Sequence, residues 1–126
     1  MITAMNIEQI PDCVEVIRAA FATVAEEFGF TRENSPRFTA FATNEERLNW
    51  QFGQERRPMY VYWADDRIVG YYSLALTKAG GIELNNLAVL PGYRHRGIGG
   101  ELLRHAFREG KRRGYGVMKL GIVEEN

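Results

Sequence analysis

The sequence is poor in the features that mark secreted and membrane proteins. It has one cysteine, Cys13, so an internal disulfide bond is impossible. A single thiol fits a reducing compartment, and its place beside an apolar helical stripe predicts a small buried side chain. No apolar run is long enough to span a bilayer, and the N-terminus lacks the apolar core of a signal peptide. The sequence therefore predicts a soluble, cytoplasmic protein with no membrane partner.

The chain also lacks net charge, because 16 Lys and Arg residues balance 16 Asp and Glu residues. This balance gives no general reason to expect binding to nucleic acid or to an anionic membrane. The charge is unevenly placed, since residues 91–113 hold seven Lys or Arg and only two Glu. One cysteine and two scattered histidines show no spacing typical of a metal site, so we expect no bound metal.

The length and the hydrophobic content predict one domain over residues 1–126, with a real core. Apolar residues at steps of three and four predict a first helix that ends at Gly29. They are Ile10, Val14, Ile17, Phe21, Val24 and Phe28. A second helix begins at Thr43 or Asn44, which are good N-cap residues. The polar, irregular segment 31–41 is predicted to be a loop.

The second half of the chain alternates strand-forming runs with turn residues. Residues 59–76 predict a β-hairpin around a turn at Asp65–Asp66, and residues 82–90 predict a third strand. A helix then runs to about Arg113, and residues 116–125 predict a last strand. The final strand–helix–strand unit requires a parallel crossover, whereas hairpins are antiparallel. The fold class is therefore α/β (α+β), with a mixed, mostly antiparallel sheet flanked by helices and one parallel strand–helix–strand crossover.

The most informative segment is the loop that leads into the last predicted helix. It sets three basic residues beside three glycines: Arg94, His95, Arg96, Gly97, Gly99 and Gly100. A helix N-terminus offers free N–H groups and about half a positive charge, glycine lets the backbone approach a ligand, and arginine adds charge-assisted hydrogen bonds. The segment predicts a phosphate or pyrophosphate site, with a tight turn bearing solvated arginines as the alternative.

Two common phosphate loops do not fit this segment. A P-loop needs a Lys and a Ser or Thr after its last glycine, and none follows. A dinucleotide-binding loop needs a third glycine or alanine where this chain has Leu102. The pattern Arg94-x-x-Gly97-x-Gly99 instead resembles the acyl-CoA signature R/Q-x-x-G-x-G/A of the GNAT family of N-acetyltransferases. Residues 84–122 also read like that family's core strand, loop, helix and following strand.

The resemblance implies a GNAT-like sheet, acetyl-CoA as the acetyl donor, and a set of residues that contact the coenzyme. The residues implied around the phosphates are Arg94, His95, Arg96, Gly97, Ile98, Gly99 and Gly100. Leu87, Ala88 and Val89 end the preceding strand, whose backbone at Leu87 and Val89 would pair with the pantetheine arm. Asn126 stands where an asparagine of the family often touches the coenzyme.

Transfer of acetyl to an amine needs a base, and Glu83 is the candidate. It stands eleven residues before Arg94, which resembles the register of the glutamate base in histone-acetylating members. The alternative for Glu83 is a solvent-facing strand carboxylate. If the strand alternates, Glu83, Asn85 and Leu87 share one face, which makes Asn85 a candidate hydrogen-bonding group in the acceptor site. His105 is expected on the surface of a basic helix and is a weak catalytic candidate, like His95.

The sequence thus favours an N-acetyltransferase that moves acetyl from acetyl-CoA to a primary amine of a small molecule or protein, by direct attack on the thioester. Family members usually continue with another helix, which commonly supplies a tyrosine that protonates the thiolate, so we expect a domain truncated at its C-terminus.

Truncation leaves a second interpretation, a catalytically impaired CoA-binding or protein-interaction module. It also predicts a homo-oligomer through an exposed sheet edge. Nucleic-acid binding is disfavoured, because no stacking aromatics are interleaved with the cations. The acceptor amine is not identified.

Overall fold

A computed structural model describes residues 1–121 of the chain. The strands are β1 (Ile2–Ala4), β2 (Met59–Ala64), β3 (Arg67–Leu76), β4 (Ile82–Val89) and β5 (Met118–Leu120), and the helices are α1 (Ile10–Phe28), α2 (Thr39–Ala42), α3 (Glu45–Gly53) and α4 (Ile98–Arg112). All five strands form one sheet in the order β1-β2-β3-β4-β5. Every pair is antiparallel except β4–β5, which is parallel across α4. The predicted mixed sheet with one parallel crossover is confirmed.

Helix α1 forms where the apolar stripe predicts it and ends at the predicted Gly29. Gly29 adopts a left-handed conformation, with φ 69°, and its N–H bonds to the last carbonyls of the helix. Along the stripe, Ile10, Cys13 and Ile17 are almost fully buried, as the sequence led us to expect for the thiol. Helices α1 and α4 both pack on β3 and β4, so these two strands form the centre of the molecule.

Strand β4 contains a β-bulge that simple alternation did not predict. Its register with β3 shifts by one residue between two partner pairs, Ser73–Asn85 and Tyr71–Ala88. Asn86, with φ 54°, and Leu87 therefore both lie opposite Tyr72. Glu83 and Asn85 share a face, but the expectation that Leu87 shares it with them is wrong, because the extra residue interrupts the two-residue period.

The parallel strands β4 and β5 pair over three rungs within residues 1–121. The last of these rungs is Leu84–Leu120, and beyond it the Gly121 N–H donates to the Leu84 carbonyl oxygen at 2.7 Å. Strand β4 continues from there to Val89 and contains the bulge at Asn86 and Leu87.

The segment 31–41, predicted to be a loop, contains helix α2 and a fully buried side chain, Phe38. The Phe38 ring meets those of Phe21, Phe30 and Phe41 edge-on, with centroids 4.9 to 6.1 Å apart. A four-residue helix is too short to show a hydrophobic period, so the sequence did not predict α2. The burial of Phe38 depends on partners elsewhere in the chain.

Strand β5 is an edge strand of the sheet within the described residues. The predicted association through a sheet edge is not tested by this arrangement and stays a prediction. None of the helices in residues 1–121 combines the length and the apolar character that crossing a membrane requires.

Candidate functional site

The loop between β4 and α4 sets six consecutive backbone N–H groups, those of residues 95–100, at a helix N-terminus. Gly97 is the N-cap of α4 with φ 79°, and His95 is also left-handed with φ 65°. The first N–H of the helix to find a partner is that of Glu101, which bonds to the Gly97 carbonyl at 3.0 Å. None of the six preceding groups donates to an acceptor within residues 1–121. Such a row of donors at a positive helix end is the arrangement typical of anion-binding sites.

The two arginines of the loop take different positions. Arg94 Nη2 donates to the Ala20 carbonyl oxygen of α1 at 2.8 Å. The Arg96 guanidinium lies over the Tyr93 ring, 4.9 Å from its centroid, and the Tyr93 hydroxyl donates to Asp65 at 2.8 Å. Arg94 therefore joins the loop to α1, while Arg96 stays exposed beside the free N–H groups and adds positive charge there.

The loop forms one end of a cleft between α1, β4 and α4. Its outer part has a volume of about 320 Å³ and is lined by Ala20, Phe21, Val24, Leu87, Ala88, Val89, Tyr93, Arg94, His95, Gly97, Ile98 and Gly99. Its inner part has a volume of about 400 Å³ and is lined by Phe21, Leu84, Asn86, Leu87, Gly99, Gly100, Leu103, Leu120 and Gly121. The two parts share Phe21, Leu87 and Gly99, so the cleft runs from the loop to Leu84 and Leu120, the last described rung of β4 and β5.

The cleft therefore unites the described residues that the sequence predicts as coenzyme ligands, with one difference. Arg96 lies on the exposed rim and does not line the cleft. Asn126, the remaining candidate, falls outside the described residues. The bulge also brings in Asn86, which the sequence could have indicated, because an Asn–Asn pair inside an apolar strand tolerates a left-handed residue.

Glu83 lies one residue before the inner end of the cleft. It is opposite Ala75 on β3 and Lys119 on β5, directly next to the Leu84–Leu120 rung. Its side chain is 23% exposed, and Oε2 is 3.6 Å from Lys119 Nζ. Sequence reasoning missed Lys119, because the contact depends on the register of a parallel strand far along the chain.

Asn85 lies on the same face of β4 as Glu83. Its carbonyl oxygen accepts a hydrogen bond from Ser73 Oγ at 3.4 Å. Its side-chain amide lies so close to Gly121 that a Cβ atom at that position would collide with Oδ1. Asn85 is therefore packed against Gly121, two positions along β4 from the candidate base.

His105 is not the surface residue that the sequence predicts. It is half-buried, with Nδ1 2.6 Å from the Tyr72 hydroxyl, and burial lowers the pKa of its imidazole. Tyr60 stacks on Tyr72 at 5.1 Å and donates to Glu109 at 2.7 Å. Hydrogen bonds from Arg112 hold the pKa of Glu109 at about 2. This network joins α4 to the sheet and lines neither part of the cleft.

Nucleophilic and metal chemistry find no support in the described part of the chain. Cys13 is fully buried, and burial raises the pKa of its thiol to about 12, which leaves almost no thiolate at neutral pH. Residues 1–121 bring no three His, Cys, Asp or Glu side chains together as a metal site. The candidate chemistry is therefore that of a carboxylate beside an anion-binding cleft.

Comparison with known proteins gives a match to the acetyltransferase (GNAT) family over residues 19–126. An uncharacterized N-acetyltransferase in the pepI 3′ region of Lactobacillus delbrueckii subsp. lactis is 27% identical over 137 aligned positions, covering 98% of this chain and 78% of that protein. A second relative, the uncharacterized N-acetyltransferase YvbK of Bacillus subtilis, is 31% identical over 67 residues, 53% of this chain and 43% of that protein.

Solved structures show the same fold. The PaiA N-acetyltransferase of Thermoplasma acidophilum, in complex with coenzyme A, matches with a TM-score of 0.83 at 22% identity, covering all of this chain and 80% of that one. A GNAT family acetyltransferase from Brucella melitensis, in complex with acetyl-CoA, matches with a TM-score of 0.73 at 19% identity, covering 98% of this chain and 77% of that one.

Proposed function

This chain belongs to the GNAT family of acetyltransferases, and we propose that it is an acetyl-CoA-dependent N-acetyltransferase acting on a primary amine of a small molecule or protein. The observation that carries the proposal is the row of six N–H groups at residues 95–100, at the mouth of a cleft whose inner end is lined by Leu84, the chain neighbour of Glu83. A diphosphate at one end and a reactive acyl group at the other is the layout that acetyl-CoA requires.

The residues of the loop fit the pyrophosphate of the donor. The N–H groups of residues 95–100 and the end of the α4 dipole supply positive potential without a side chain in the way. Arg96 adds an exposed cation at the rim, and Arg94 joins the loop to α1 through its hydrogen bond to Ala20. Beyond the loop, Leu87 and Val89 of β4 line the cleft. We expect their backbone groups to bond to the amides of the pantetheine arm as an added strand would.

Glu83 is the group that removes the proton from the attacking amine, directly or through a water molecule. Asn85, on the same face and packed beside Gly121, offers hydrogen bonds to the acceptor. The backbone N–H near Leu87 polarises the thioester carbonyl as negative charge develops on its oxygen. Glu83 and Asn85 each lie one position from Leu84, the last described rung with β5, and Leu87 lies three positions from it.

An acetyl-transfer assay tests this function. The chain is incubated with acetyl-CoA and a panel of primary amines, including polyamines, amino acids and peptides with free α- or ε-amines, and release of CoA thiol is followed. Glu83→Gln should lower kcat by roughly 10²–10⁴-fold with little change in acetyl-CoA affinity, because the base does not contact the phosphates. Glu46→Gln, an exposed change on α3, is the matched control and should retain activity.

The proposal fails if the chain binds acetyl-CoA but transfers acetyl to no amine. The role of Glu83 fails separately if Glu83→Gln turns over as fast as the parent with an unchanged pH–rate profile.

A further inference from the structure

We propose that Lys119 is itself an acetyl acceptor, modified by the active site of its own chain. This inference rests on the proposed function, since it needs acetyl-CoA in the cleft. The observation behind it is that Lys119 places a primary amine 3.6 Å from Oε2 of the candidate base Glu83. An amine held at the base is the arrangement that the reaction requires of any acceptor.

The position of Lys119 along β5 supports this assignment. Glu83 and Lys119 form the rung next to Leu84–Leu120, and Leu84 and Leu120 line the inner end of the cleft. The extended arm of a donor bound at the loop would bring its acyl end to this point. The Lys119 backbone therefore lies one residue from the inner end of the cleft, and its side chain leaves the sheet with that of Glu83, on the face opposite to the side chains of Leu84 and Leu120.

The side chains of Lys119 and Glu83 differ in exposure, and this difference favours reaction over a purely structural ion pair. The Lys119 side chain is 74% exposed, whereas that of Glu83 is 23% exposed. An exposed pair of this kind contributes little to stability, about 0–1 kcal/mol. The ammonium can therefore leave the carboxylate and move toward the cleft at small cost, while the base stays in place.

The chemical step balances with the groups present. The Glu83 carboxylate takes one proton from the Lys119 ammonium, and the neutral Nζ attacks the thioester carbonyl carbon. A C–N bond forms, the C–S bond breaks, and the second amine proton ends on the departing CoA thiolate. The products are Nε-acetyl-lysine, CoA thiol and protonated Glu83. Because the amide has no charge, the ion pair with Glu83 is lost and one chain accepts one acetyl group at this site.

The chain provides its own reference sites, because it has only three lysines, Lys78, Lys111 and Lys119. Lys78 lies in the turn between β3 and β4, and Lys111 lies in the last turn of α4, and both are exposed. Spontaneous acetylation by acetyl-CoA would reach all three according to exposure. Acetylation by the site would select Lys119.

The experiment incubates the purified chain with acetyl-CoA and no added amine, then measures intact mass and maps the modified peptide over time. We expect addition of a single acetyl group at Lys119, at least about tenfold faster than at the other two lysines. The first-order rate should not depend on protein concentration, because donor and acceptor belong to one chain. Lys119→Arg should abolish the addition, Lys111→Arg should leave it intact, and Glu83→Gln should slow it.

Equal modification of the three lysines, or a rate that rises with protein concentration, would overturn the proposal. So would an unmodified Lys119 in a chain that acetylates an added amine, and in that case the proposed function would stand. If neither Lys119 nor any added amine is acetylated while CoA binds, both proposals fail together.

Discussion

Arg94 and Ala20 are 74 positions apart in the chain, yet the Arg94 guanidinium donates a 2.8 Å hydrogen bond to the Ala20 carbonyl oxygen. This bond links the anion-binding loop to α1 across the mouth of the cleft. Ala20 lies in the middle of α1 and is buried. The width of the cleft mouth is therefore set in part by one arginine that the sequence marks only as a phosphate ligand.

We expect Arg94→Ala to lower the free energy of unfolding by about 1.5–3 kcal/mol, the usual contribution of a hydrogen bond from a charged group. Arg96→Ala removes an exposed cation that rests on the Tyr93 ring, so it should change stability by much less. Urea denaturation of the two variants makes the comparison. Equal losses of stability in Arg94→Ala and Arg96→Ala would show that the hydrogen bond to Ala20 does not stabilise the loop.

The left-handed backbone at Gly97 gives a second prediction. Gly97→Ala should lower the free energy of unfolding by about 1 kcal/mol, because a Cβ atom is disfavoured at φ 79°. Gly99→Ala is the matched control, since an added Cβ there meets only Val89 Cγ2 at 4.0 Å. Thermal unfolding measures both. A stability of Gly97→Ala that equals that of Gly99→Ala would contradict the loop conformation.

Glu109 predicts a pH dependence of stability. Its pKa of about 2 in the folded chain lies below the ordinary 4.5, mainly through hydrogen bonds from Arg112. The contribution of the carboxylate is therefore complete above pH 4.5 and is lost as pH falls from 4.5 toward 2. Arg112 is 63% exposed, so solvent screening reduces this contribution to about 1 kcal/mol.

Glu109→Gln should accordingly destabilise the chain at pH 7, and the difference from the parent should shrink between pH 5 and pH 3. Denaturant titrations at several pH values measure it, with Glu46→Gln as the exposed control. If the stability difference between Glu109→Gln and the parent grew as the pH fell, the proposed lowering of the Glu109 pKa by folding would be contradicted.

Features with a local or periodic signal were predictable from the sequence. The stripe of α1 and its end at Gly29 follow from residue spacing and backbone freedom. Asn44 caps α3 by accepting a hydrogen bond from the Arg47 N–H at 2.8 Å, as N-cap preference predicts. The hairpin turn at Asp65–Asp66 and the glycine loop before α4 are likewise local patterns.

Features set by contacts between distant segments were not predictable. The burial of Phe38 depends in part on the Phe21 ring in α1, and that of His105 depends on Tyr72 of the sheet. The proximity of Lys119 to Glu83 depends on the parallel register of β4 and β5. Tertiary packing decides these positions, and one sequence carries no pattern that pairs them.

The central claim, that the loop at residues 94–100 binds the donor, is tested most directly by calorimetric titration of coenzyme A into Gly99→Asp and Gly99→Ala. Aspartate in the first turn of a helix favours folding, so a loss of binding would not reflect an unfolded chain. It would however set a carboxylate against the pyrophosphate, and like charges in contact cost several kcal/mol. We predict affinity near that of the parent for Gly99→Ala and a loss of at least about tenfold for Gly99→Asp. Equal affinity for coenzyme A in the parent and in Gly99→Asp would contradict the account.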